Sequence, residues 1–152
     1  MSLIYESPKY VEELKRRINE SSEYREKAKG VNLKTLFIVK DVSFATYSSY
    51  VNGELVERKH IPPSEIEETK KNVDFTVEIP TYELSVELAT GKKSLESLFM
   101  SRAIRLEGSI FKALQYRGAI EIASKITAAL TSESVIPSKE DFMKMLRERK
   151  LL

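Results

Sequence analysis

Cysteine and tryptophan are absent from this 152-residue chain, and glutamine and histidine occur once each, as Gln115 and His60. Without cysteine there are no disulfides, no thiolate metal ligands and no cysteine nucleophile. A lone histidine removes multi-histidine metal sites and a histidine-based triad within one chain. His60 stands beside Pro62 at the end of an expected strand and reads as a structural residue. A strong excess of either charge is lacking as well. The net charge is +2, so no broad basic field exists to hold phosphates, and nucleic acid is not an expected partner. No apolar run reaches the roughly 18–20 residues of a membrane span. Met1 to Lys15 has the polar pattern of a helix rather than an apolar signal core. These absences point to a cytoplasmic protein with no integral membrane segment. Lack of Cys and Trp beside abundant Lys and Glu leans toward a thermophilic source.

What is present is enough for one domain, 1–152. A chain of this length buries roughly 68–70% of its unfolded surface without needing a metal or disulfide. Ser7 and Pro8 open a first helix expected to run to Lys29, with Val11, Leu14 and Ile18 on its apolar stripe and Gly30 as its stop. Thr35 to Lys40 is apolar on both faces, as in an interior strand. Asn52-Gly53, between the strand-like Ser43–Val51 and Glu54–Ile61, predicts a two-residue hairpin with Tyr50 opposite Leu55, because both turn residues tolerate positive φ. Pro62-Pro63 closes that block, and Ser64 to Asn72 forms a charged helical connector. Its Glu65, Glu67, Glu68, Lys70 and Lys71 make a solvated face. Val73 to Ile79 alternates as a strand.

Tyr82 to Ala89 is ambiguous by period. Tyr82, Leu84, Val86 and Leu88 alternate with polar residues, yet Thr81 can cap a helix in which Leu84/Leu88 and Tyr82/Val86 are i,i+4 pairs. Ser94 to Met100 is a short helix and Ala103 to Glu107 a strand with Ile104 and Leu106 inward. Ser109 caps a long helix to about Ala129. After Pro137, Ser138 caps a last helix carrying Phe142, Met145 and Leu146. Arg147, Arg149 and Lys150 there fit as partners of the helix dipole. Thr90-Gly91-Lys92-Lys93-Ser94 is not a phosphate loop, since Val86 stands where that motif needs Gly and Lys93 where it needs Ser or Thr.

Asp74 and Thr76 on one strand, Gly91-Lys92 eight residues before Phe99, and Gly108 ending a strand that opens onto a helix with Ala113 form a connected pattern. In this pattern the chain resembles the sterol-carrier-protein-two family of lipid-binding domains, and the family favours the helix over Tyr82–Ala89. The resemblance implies an α+β fold: a mixed, mostly antiparallel sheet of about five strands with helices packed largely on one face. Residues 31–130 would form the sterol-carrier-like core. Residues 1–30 and 131–152 would be helical extensions, the latter able to close, line or plug a tunnel mouth.

The implied function is non-catalytic binding or carriage of a lipid-like apolar ligand in an internal tunnel, with no cofactor, no metal and no catalytic residue. Tunnel candidates are Phe75 and Val77 on one strand, and Leu84 and Leu88 on the ambiguous helix. Leu98, Phe99 and Met100 follow, then Ile104 and Leu106, then Phe111 and Leu114. Flexible Met suits a pliable lipid site. The alternative is an accessory or dimerising module of a larger enzyme complex, acting as a homodimer or beside a partner protein.

Overall fold

Asn52 and Gly53 adopt φ 49° and 83°, the left-handed pair that a tight hairpin needs. They join β2 (Phe44–Val51) to β3 (Glu54–Ile61) with Tyr50 opposite Leu55, as the sequence predicts. The computed structural model, which describes residues 2–152, builds a five-stranded sheet outward from this hairpin. With β1 (Leu33–Val39), β4 (Phe75–Ile79) and β5 (Arg105–Gly108), the order is β3-β2-β1-β4-β5. Only the central β1–β4 pair is parallel. The α+β class is thereby established.

Among the described residues, eight α-helices complete the fold. In order they are α1 (Pro8–Glu20), α2 (Ser22–Lys27), α3 (Ile66–Lys70) and α4 (Tyr82–Ala89). After these come α5 (Leu95–Met100), α6 (Ile110–Gln115), α7 (Arg117–Ser132) and α8 (Lys139–Glu148). The main core lies between one sheet face and most of these helices. The opposite face carries a smaller cluster of Leu36, Ile38, Ala45 and Ile61 with Ile66 at the start of α3.

Two expected helices are each broken. The expected helix from Pro8 to Lys29 divides at Ser21, whose backbone is extended and whose hydroxyl accepts from the Tyr24 N–H, starting a second helix. The expected helix from Ser109 to Ala129 divides at Tyr116, which leaves helical geometry. Beyond the break Gly118 lies against the Lys27 side chain, and a Cβ there would fall 2.3 Å from Lys27 Cε. Ahead of the break Phe111 faces solvent and Leu114 is largely exposed at the cavity edge, although an unbroken helix would have placed both on the inner stripe. On α1 the buried stripe is Tyr10, Leu14 and Ile18, with Val11 only partly buried. The β5 strand starts at Arg105 rather than Ala103.

The ambiguous segment is a helix. Thr81 accepts from the Leu84 N–H at 3.1 Å and Asp41 from the Tyr82 N–H at 2.9 Å, so its first turn is held at two donors. Residues outside the shared motif fasten the ends. Leu3 and Tyr5 exchange backbone bonds with Val135. Ser138 caps α8, whose Phe142 and Leu146 are fully buried. Phe142 sits among the rings of Tyr5, Phe44 and Tyr82 at 4.7–6.1 Å.

Candidate functional site

Among the described residues, no helix is long and apolar enough to cross a membrane, and no three His, Asp or Glu side chains converge as a metal site. A cavity of about 350 Å³ lies between sheet and helices. Its volume falls within the roughly 300–1,000 Å³ of small-molecule sites. The sheet is its floor. Period-2 alternation and the strand register put Phe37, Val39, Phe75 and Ile79 on the cavity side of β1 and β4. Tyr10, Leu14 and Ile18 of α1 and Ala119, Ile120 and Ala123 of α7 form the cover.

The cavity opens beside α5 and α6. Phe99, Met100, Ile110 and Leu114 line that side, and Met100 and Leu114 are 75% and 63% exposed. Phe111, on the same helix as Leu114, is 73% exposed.

The far end, under the N-terminal segment and α1, is polar. Arg58 of β3 donates from both terminal nitrogens to the Glu6 carboxylate, at 2.8 and 3.0 Å, with both side chains nearly buried. Burial alone would raise the Glu6 carboxyl, but Arg58, with help from His60, holds it far below the usual carboxylate range. His60 Nε2 lies 3.3 Å from the same carboxylate, and its ring meets Phe44 edge-on. Arg149 donates to the Glu6 carbonyl at 3.1 Å, a tie between α8 and the N-terminal segment rather than a simple dipole partner. No local pattern marks Glu6, because its partner lies 52 residues away.

Of the tunnel candidates, Phe75, Leu88, Phe99, Met100, Leu106 and Leu114 stand on the cavity wall. Val77, Leu98 and Ile104 are buried elsewhere in the core, and Leu84 is partly buried against it. Phe111 faces solvent. The pattern residues hold the fold together. Asp74 accepts from the Lys34 N–H at 2.8 Å and pairs with Lys112 at 2.9 Å, joining β1, β4 and α6. Gly108, at φ 102°, comes so close to β4 that a Cβ would lie 2.6 Å from the Asp74 carbonyl.

Residues 11–121 match the SCP-2 sterol transfer family. No curated protein matches the chain. Among solved structures, sterol carrier protein 2 aligns at 18% identity and a TM-score of 0.65, over 80% of this chain and 95% of that one. A Thermus thermophilus protein, described as conserved, hypothetical and a candidate sterol carrier, aligns at 19% identity and a TM-score of 0.66. That match covers 88% of this chain and 92% of its counterpart. The sec-alkyl sulfatase PisA1 aligns at 19% identity and a TM-score of 0.52 over 74% of this chain, but only 16% of the sulfatase is covered.

Proposed function

This chain belongs to the SCP-2 sterol transfer family, and on that premise we propose that it binds or carries a lipid-like ligand, fatty acyl, isoprenoid or sterol-like, in the cavity between the sheet and α1 and α7. The observation carrying this reading is a largely apolar space between sheet and helices that opens beside exposed apolar side chains. Burying each CH₂ of a tail there contributes about 0.8 kcal/mol before ordering costs. Affinity can therefore come from shape and dryness, which needs no reactive group.

A fluorescent fatty-acyl probe tests the reading. Micromolar or tighter binding, about −8 kcal/mol, is expected for the native chain. Ala123→Phe places a ring in the cavity and should weaken the probe at least tenfold. Its stability should hold, because new apolar contact in an open space offsets the strain that overpacking would cause. Absence of probe binding, with Ala123→Phe unfolding the protein, would reveal a filled core.

A second reading, an accessory or dimerising module, draws on the exposed Met100, Phe111 and Leu114. The likeness to a small part of a sulfatase supports it too, since a similar fold there is one piece of an enzyme. Sedimentation at micromolar concentration discriminates: a dimer that blocks the probe favours the module, a probe-binding monomer the carrier.

A further inference from the structure

The cavity has a polarity gradient opposite to that of a tail-only pocket. One register row crosses the sheet as Phe75, Thr35, Ser48 and Arg58, on β4, β1, β2 and β3 in turn. All four line the cavity. The row is apolar on the side of the opening and becomes hydroxyl, hydroxyl and guanidinium toward the closed end. Thr46, two residues along β2 from Ser48, adds a third hydroxyl on the same face. Neighbouring side chains in such a row lie roughly 5 Å apart, so a single ligand group can touch two of them.

These groups have capacity to spare. Thr35, Thr46 and Ser48 are buried residues. Among the described residues, no protein group hydrogen-bonds the Thr35 or Thr46 hydroxyl, and neither oxygen is sealed away from the cavity. Arg58 spends one N–H of each terminal nitrogen on Glu6, which leaves the Nε–H and a second N–H on each. Hydroxyls that line a cavity without a protein partner are open to bond what enters it.

We propose that this end of the cavity receives the polar head of the ligand, inserted head-first, and that the head is neutral: an alcohol hydroxyl or a ketone or ester carbonyl on a long apolar body. Glu6 already neutralises Arg58. A carboxylate or phosphate head would bring a second negative charge beside Glu6, where Arg58, the lining cation of that end among the described residues, is already paired and Arg149 is tied to the Glu6 carbonyl outside the lining, at a heavy desolvation cost. A hydroxyl accepts from a remaining Arg58 N–H and donates to the Ser48 oxygen, or bridges the Ser48 and Thr35 hydroxyls, while a carbonyl accepts from either pair. The inference deepens the carrier reading and rests on it.

The test is displacement of the fatty-acyl probe by dodecanol, dodecanoate and tridecane, with native protein and with Thr35→Val and Ser48→Ala. Dodecanol should displace the probe at about tenfold lower concentration than tridecane, the worth of one to two neutral hydrogen bonds. Dodecanoate should show no such gain. Each variant should lose the dodecanol advantage while keeping its tridecane affinity. Thr35→Val should melt at or above the native temperature, since it deletes an unpaired hydroxyl. Equal potency of dodecanol and tridecane on native protein overturns the head site without touching the carrier reading. A dodecanol advantage that survives both substitutions, or a preference for dodecanoate, does the same. If the probe itself never binds, the cavity reading falls and the head site with it.

Discussion

Replacing Glu6 with glutamine should be among the most damaging single-atom changes available in this protein. The carboxylate accepts two bonds from Arg58 and faces His60, and the Glu6 and Arg58 side chains are only 6% and 13% exposed. Glu6→Gln keeps the shape and leaves the guanidinium buried without its counter-charge. Breaking one side of such a pair costs about 3–5 kcal/mol, and at this chain length each kcal/mol lowers the melting temperature by about 2–4 °C. A fall of roughly 6–20 °C is expected.

Glu6→Leu combined with Arg58→Met removes both charges. It should recover at least half the loss, giving about 2 kcal/mol or more of coupling in a double-mutant cycle by urea unfolding. Acid should act through the same pair. The folded Glu6 carboxyl lies far below its ordinary value of 4.5, so its contribution is complete above that pH. It is lost progressively as pH falls below 4.5 toward the folded value. The native protein should therefore lose stability on acidification more steeply than Glu6→Gln. Additive single effects, a Glu6→Gln cost under about 1 kcal/mol, or identical acid slopes would refute the reasoning.

Three further outcomes are expected. Gly53→Ala should destabilise by more than about 2 kcal/mol by thermal melting, because φ is 83° and the new Cβ would meet the Ala28 carbonyl at 2.4 Å. Phe142→Ala should cost about 3–5 kcal/mol by urea unfolding, since the ring is fully buried among Tyr5, Phe44 and Tyr82. That result would make α8 integral to the fold although it lies beyond the family match. Met100→Ser with Leu114→Ser should leave the unfolding midpoint nearly unchanged, within about 0.5 kcal/mol per site. It should still weaken probe binding in a fluorescence titration, because both side chains line the cavity mouth.

Local chemistry made much of the framework legible. The Asn52-Gly53 hairpin, its Tyr50–Leu55 pair and the capping of α8 by Ser138 all follow from residues within a few positions of one another. The α4 segment shows where period alone misleads. Its alternation belongs to a strand, yet the Thr81 cap and the Asp41 carboxylate satisfy the first-turn donors of a helix. The breaks at Ser21 and Tyr116 were hidden because both flanks have helix-forming composition and the decision is made by tertiary packing.

The site was less legible. Motif residues such as Asp74 and Gly108 turn out to clamp strands together. Empty space leaves no residue pattern, and the Glu6–Arg58 pair joins positions too distant for any local signal. The row of Phe75, Thr35, Ser48 and Arg58 exists only once four strands are in register.

Native mass spectrometry of the purified chain, after incubation with a mixed lipid extract, tests the central claim most directly. A carrier should show one lipid-sized ligand per chain, with the adduct lost or sharply reduced in Ala123→Phe. Only the bare chain mass, in native protein and variant alike, would contradict the account.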